Sequence, residues 1–300
     1  VTDNTHTYAR IESIDPTAMH NALKEGKSVI VAGFQGINKD GSVTTLGRGG
    51  SDLSAVALAG ALNADQCEIY SDVDGIYTTD PRIEPNAKKL DTISYDEMLE
   101  LSSLGAKVLQ NRSVELAKKL KIKLYAKSSF SDNEGTLITE ESKNMEEVLV
   151  SGVVLDKNQA RVTLRGVSDR PGIAAEIFTM LANENINVDM IIQNVGEDGT
   201  TNLGFTVPES ELDNAKRLME GFDHDIQGMD FDKHVCKVSV VGVGMKSHSG
   251  VAATAFTTMA KSGINIQMIS TSEIKVSMII DEKYGELAIR TLHEAYELDK

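Results

Sequence analysis

The 300-residue chain reads as an α/β half followed by a duplicated α+β half. Three observations predict this. Short β-branched runs alternate with helical segments up to about residue 130, a polar stretch over residues 131–143 ends that pattern, and an internal repeat occupies the rest of the chain. The length suits more than one compact domain, and the changes of pattern divide it at residues 1–145, 146–228 and 229–300.

Residues 28–34 (SVIVAGF) predict a buried strand, because a short apolar β-branched run between polar flanks suits a sheet covered on both faces. A loop dense in glycine (Gly36, Gly41, Gly47, Gly49, Gly50) then leads to the Ala/Leu-rich residues 53–62, a helix beginning near Ser51 or Asp52. Residues 66–71 return as a strand, and residues 73–78 turn through Asp74-Gly75 into a hairpin closed by Asp80-Pro81. Helices fit residues 95–104 and 106–120. The second ends in Lys118, Lys119 and Lys121, which complement the negative end of the helix dipole. Residues 123–127 form the last strand of this half.

In the second half, residues 162–191 align with 238–269. Gly166 falls on Gly242, Phe178 on Phe256 and Asn187 on Asn265, with two residues inserted in the second copy's loop. Each copy reads strand, glycine-containing loop, helix, strand, then a further strand (201–207; 274–280) and helix (209–222; 282–295). That order is most of a ferredoxin-like α+β sandwich.

Composition narrows the function. Forty-five acidic against 30 basic residues give a net charge of −15, which argues against general binding to nucleic acid or anionic membranes. No apolar run approaches the ~18 residues of a membrane span, so the reading is a soluble cytoplasmic protein. Cys67 and Cys236, far apart and without a partner motif, suggest reduced buried thiols and no zinc site. The opening at Val1 reads as a trimmed end.

The stretch Gly47-Arg48-Gly49-Gly50-Ser51-Asp52 carries the strongest chemical signal. Glycines let backbone N–H groups approach an anion, a helix N-terminus adds partial positive charge, and Arg48 adds a fork for carboxylate or phosphate. The alternative is an ordinary glycine turn with Ser51 as helix cap. The spacing is not that of a Walker loop. Asp72 and Asp74 end a strand where open α/β sheets bind ligands and would suit Mg²⁺ with a nucleotide, although Asp74-Gly75 is also plain turn chemistry. Lys107 reads either as a phosphate contact or as a solvated lysine. His248, between Ser247 and Ser249, has no orienting third group and reads as a loop histidine. The loops Asp169-Arg170-Pro171-Gly172 and Lys246-Ser247-His248-Ser249-Gly250 lead into helices whose amides suit an amino-acid carboxylate, with Asp169 or Asp189 for its ammonium. Pro-Gly is also ordinary helix grammar.

The motifs VAGFQG, TLGRGGSD, SDVDGIYTTDPR and GAKVLQ, succeeded by GVSDRPGIAA, INVDMIIQN, GVGMKSHSGVAA, INIQMISTSE and LHEAYELD, closely resemble the monofunctional aspartate kinases over almost the whole chain. The resemblance implies the C-terminal part of an amino-acid-kinase (carbamate-kinase-like) αβα sandwich followed by two ferredoxin-like ACT domains. It implies transfer of the γ-phosphoryl of ATP, with Mg²⁺, to the β-carboxylate of L-aspartate. That is the entry to lysine, threonine, methionine and diaminopimelate synthesis, under feedback by lysine, threonine or both.

On this resemblance Arg48, Gly49, Gly50 and Ser51 bind aspartate, with Asp52 close to the reacting centre. Ser71, Asp72, Tyr77, Thr78, Thr79, Asp80, Pro81, Arg82, Lys107 and Val108 belong to the nucleotide. Effector residues are Asp169, Arg170, Pro171, Gly172, Ile173, Ala174, Asn187, Val188, Asp189 and Gln193 from one repeat. Val251, Ala252, Asn265, Ile266, Ser272 and Glu273 come from the other. ACT domains bind effectors where two of them pair, so the resemblance also implies a homo-oligomer, joined in some members of the family by a short regulatory subunit.

The sequence departs from the family in one respect. Its usual opening K-F-G-G-T-S strand, whose lysine meets the ATP phosphates, has no counterpart, so about the first third of the parent is expected to be missing while the C-terminus reads as complete. A piece without that strand is not expected to turn over alone. Two rival readings stand beside the kinase: a catalytically incomplete sensor subunit beginning near Met145, and a kinase of the same fold acting on another amino acid or carbamate.

Overall fold

The structure is a computed structural model that describes residues 1–104, 108–140, 149–196, 199–222, 226–246 and 250–300. The readings at Lys107, Met145, Ser247, His248 and Ser249 lie outside the described residues. The chain divides into two compact units. One comprises Val1–Gly152, Val241–Gly244 and Leu298–Lys300; the other comprises Val153–Val240 and Met245–Glu297.

The first unit runs α1 (Thr17–Lys24), β1 (Gln35–Ile37), β2 (Val43–Thr45), α2 (Gly50–Leu62), β3 (Cys67–Ser71), β4 (Thr92–Ser94), α3 (Tyr95–Ser103), α4 (Asn111–Leu120), β5 (Leu124–Ser128) and β6 (Thr136–Thr139). Strands β1 and β2 form a separate two-stranded antiparallel sheet. The main sheet has the order β3-β5-β6-β4, with β3/β5 and β4/β6 parallel and β5/β6 antiparallel. Helix α2 packs on β3 and α4, and α4 packs also on α3. Helix α3 starts where it does because Ser94 and Glu97 form a capping box, each side chain accepting from the other residue's backbone N–H.

Three expectations need correction. Residues 28–34 form no strand and are exposed, Ile30 at 98%. An apolar pattern reports what a segment can bury, but a strand also needs a neighbour for its backbone groups, and this run is in neither sheet of the unit. The hairpin at 73–78 does not form either. The Ile76 amide donates to Thr136 Oγ1 at 2.9 Å, the Tyr77 hydroxyl donates to Asp74 at 2.8 Å, and residues 76–78 bond instead to 88–90, with Tyr77 bridging Lys89. The helix expected from residue 106 starts at Asn111, with an extended Gln110 as its cap. Strands β4 and β6 come from short polar stretches that predicted no element.

The second unit contains β7 (Gly152–Ser168), α5 (Ile173–Asn183), β8 (Ile191–Val195), β9 (Thr200–Val207), α6 (Leu212–Glu220), β10 (Gly228–Val241), α7 (Val251–Lys261), β11 (Ile266–Thr271), β12 (Lys275–Asp281) and α8 (Gly285–Ala295). The repeat is visible in its helices, since α5 and α7 are both 11 residues long. The two copies are not separate sandwiches. Their first strands lie side by side in one six-stranded sheet ordered β11-β12-β10-β7-β9-β8. Val162, Leu164, Ile177, Leu181 and Phe205, all essentially inaccessible, make the core under α5 and α6, with Phe178 edge-on to Phe205 at 5.5 Å. Met190, Val235, Met268 and Ile279 make a second cluster.

Candidate active site

The glycine stretch forms a tight turn into α2. Gly47 and Gly49 have φ of 87° and 71°, in the left-handed region. A Cβ would lie 2.8 Å from the Tyr8 ring at Gly47 and 2.9 Å from Gln110 Cβ at Gly49. Only glycine lets the chain turn this tightly into α2. The helix cap is Gly49, not Ser51, and no side chain caps it. The Gly50 amide is used by the Gly47 carbonyl and the Asp52 amide by the Gly49 carbonyl. The amides of Arg48, Gly49 and Ser51 have no hydrogen-bond partner among the described residues.

Neighbouring side chains hold the turn. Arg112 donates to the Leu46 carbonyl at 2.9 Å and the Ala9 carbonyl at 2.8 Å, and lies over the Tyr8 ring at 4.6 Å. Gln110 Nε2 donates to the Arg48 carbonyl at 3.3 Å, while its Oε1 is buried and unpartnered among the described residues. The Arg48 side chain is exposed and makes no ion pair among the described residues. Burial pushes the Asp52 carboxyl above the usual carboxylate range, opposed by the Gln110 backbone amide and the Ser51 hydroxyl 3.5 Å away. An exposed guanidinium, three free amides and a helix N-terminus can together receive a small carboxylate.

The second stretch begins at the carboxyl end of β3. Ser71 there accepts the Ser129 amide on its carbonyl, and Asp72 is exposed. Asp74 is tied to Tyr77, whose hydroxyl is pushed up by burial and then by that bond. Thr78 and Thr79 are buried, with the Thr78 amide and hydroxyl bonded to the backbone of Lys88. Asp80 holds Arg82 through bonds of 2.6 to 3.2 Å, and the guanidinium keeps the carboxyl below its ordinary range. Pro81 is exposed and Val108 half-buried. Among the described residues no hydrogen bond or ion pair joins Arg48, Gly49, Gly50, Ser51 or Asp52 to residues 71–82. Gln110 and Arg112 were not legible as site residues, because neither forms a motif and both act on residues far away in sequence.

Several known proteins resemble this chain over nearly all of it. A model of the amino acid kinase family matches residues 2–128, and a model of the ACT domain matches residues 162–221 and 238–296. The aspartokinase of Helicobacter pylori 26695 is 60% identical over 296 residues, 97% of this chain and 73% of that protein. The aspartate kinase of Pseudomonas putida KT2440 is 52% identical over 302 residues, covering 100% of this chain and 74% of that one. This chain belongs to the aspartokinase family. E. coli aspartokinase III, solved in complex with aspartate and ADP, matches with a TM-score of 0.79 at 29% identity, covering 98% of this chain and 67% of that one. The same enzyme has been solved with lysine and aspartate, where the TM-score is 0.78.

In this aspartokinase the ACT positions fall in three settings. Asp169, Arg170, Pro171 and Gly172 form the exposed turn into α5, where Arg170 forks onto Glu176 at 2.7 Å twice. Ile173 is in the core, Ala174 half-buried beside it, and Val188 packs against the same core. Asn187, Asp189 and Gln193 are exposed, Asp189 in an ion pair with the buried Lys237. In the second repeat Val251 is buried at the start of α7 and Ala252 half-buried. Asn265 precedes β11 and Ile266 opens it, while Ser272 and Glu273 form the exposed turn into β12.

Proposed function

We propose that residues 47–52 seat the aspartate and that Ser71, Asp72 and residues 77–82, with Lys107 and Val108, line the nucleotide in this aspartokinase. Arg48 forks onto the α-carboxylate and the free amides of Arg48, Gly49 and Ser51 add to it, leaving the β-carboxylate toward the nucleotide. Asp52 stands beside the reacting centre. An oxygen of the β-carboxylate attacks the γ-phosphorus of ATP, the new O–P bond forms as the bond to the bridging oxygen breaks, and ADP leaves. The attacking carboxylate is already ionised, so no base is needed. The chain's contribution is position and charge.

Among the described residues no three acidic, histidine or cysteine side chains cluster as a metal site. Mg²⁺ that travels with the phosphates needs only one or two carboxylates, and exposed Asp72 at the end of β3 suits that role. When bound, the ion neutralises charge on the transferring phosphoryl group. The ACT repeats take lysine, threonine or both as feedback effectors in a homo-oligomer that can include a short regulatory subunit. The products feed lysine, threonine, methionine and diaminopimelate synthesis. No helix among the described residues is long and apolar enough to cross a membrane, which suits a cytoplasmic enzyme.

The observation that carries this reading is the glycine turn with its exposed Arg48, which makes no ion pair among the described residues. Steady-state kinetics of Arg48→Ala and Arg48→Lys in the full-length enzyme test it. The aspartate KM is expected to rise at least about tenfold with alanine and less with lysine, while the ATP KM stays within about twofold. Equal effects on both KM values would remove Arg48 from the aspartate site.

A further inference from the structure

We propose that Glu97 is a positioning residue that couples the chain leaving β10 for α7 to the nucleotide-side loop at residues 77–82. The inference rests on the assignment of residues 77–82 to the nucleotide. Glu97, on α3, is 2% exposed, yet its carboxylate accepts four hydrogen bonds. Oε2 takes the Ser94 amide at 3.1 Å and the Ser94 hydroxyl at 2.7 Å, and Oε1 takes the Ser151 hydroxyl and the Val243 amide, the latter at 3.1 Å. A buried carboxyl group this fully satisfied is costly to disturb, because any donor that withdraws leaves an acceptor oxygen unpartnered in a low-dielectric interior.

The donors come from three separate parts of the chain. Ser94 caps α3. Ser151 lies where the chain leaves the first unit for β7, and Val243 lies where it returns from β10, before continuing through Lys246 to α7. The two crossings are locked together: the Ser151 amide donates to the Val241 carbonyl at 2.8 Å, and a Cβ at Gly242 would meet the Leu149 carbonyl oxygen at 2.3 Å. From Ser151 the next residue reaches the nucleotide side, since a Cβ at Gly152 would lie 2.7 Å from the Thr78 carbonyl oxygen. Displacement of residues 241–244 therefore pulls on Glu97 through the Val243 amide, and through Ser151 and Gly152 it bears on Thr78.

Hydrogen exchange read by mass spectrometry, on this chain without ligand, tests the coupling. Glu97→Gln keeps the shape but replaces one acceptor oxygen with a donor. Exchange is expected to accelerate roughly tenfold both over residues 241–244 and over residues 77–82, with Ser151→Ala giving the same pattern more weakly. Acceleration limited to residues 94–98 and 241–244, with 77–82 unchanged in both variants, would overturn the proposal. Should Glu97→Gln fail to fold, Ser151→Ala decides by the same criterion. In the full-length enzyme, Glu97→Gln should need about tenfold more lysine and threonine for half-inhibition with kcat within about twofold of wild type. An unchanged half-inhibition concentration would also overturn it. A wild-type enzyme that neither amino acid inhibits would instead remove the effector assignment, and the exchange result would still decide the coupling.

Discussion

Gln110 Nε2 donates to the carbonyl oxygen of Arg48 at 3.3 Å, while the other end of the same amide, Oε1, is buried without a partner among the described residues. One side chain thus braces the cradle and presents an unused acceptor beside it. Gln110→Ala should loosen the turn by about 1 kcal/mol, the usual worth of a neutral hydrogen bond, and raise the aspartate KM several-fold. Thermal melting and aspartate saturation curves check this; a KM unchanged from wild type would reduce Gln110 to a cap of α4.

Gly49→Ala places a methyl group against Gln110 at a backbone angle that disfavours any side chain. The expected cost is about 1–3 kcal/mol from strain alone, seen as a lower denaturant midpoint. Gly41, also at positive φ but with open space around it, should lose less on the same substitution.

The raised carboxyl of Asp52 has a signed consequence for stability. Because its folded-state pKa lies above the unfolded value, the folded protein holds that proton more tightly. The penalty of ionising the group in the fold is present above the folded pKa and fades as pH falls through it. Asp52→Asn should therefore stabilise the fold near neutral pH and lose that advantage toward the unfolded-state value of 3.8. Denaturant midpoints measured across that range check it, and a stabilisation that grew on acidification would contradict it.

Both thiols should be silent toward Ellman's reagent in the native protein at pH 8. Burial, helped by Asp52 and Glu68, pushes Cys67 up to about 11; burial and then Glu282 push Cys236 up to about 12. Denaturant should release both, and rapid native labelling of either would contradict the burial described.

The repeat was the most legible feature, because Gly166 and Gly242, Phe178 and Phe256, and Asn187 and Asn265 keep their spacing through two copies of one supersecondary unit. That the copies share a sheet was not legible, since strand order between β7 and β10 is a long-range property. In the kinase half, residues 28–34 show the limit of apolar patterning: Val29, Ile30 and Val31 have the composition of a buried strand and are exposed. Thr136 shows another limit, because its hydroxyl takes the Ile76 amide from 60 residues away and prevents the local hairpin that Asp74-Gly75 suggests. The glycine turn into α2 was legible because its conformation is local to six consecutive residues. Its braces, Gln110 and Arg112, were not.

The most direct measurement is a crystal structure of the full-length enzyme with aspartate and ADP. The account predicts the aspartate α-carboxylate within hydrogen-bonding distance of the Arg48 guanidinium and of the free amides of Gly49 or Ser51. Aspartate bound elsewhere, with those amides closed by the protein's own carbonyls, would contradict it.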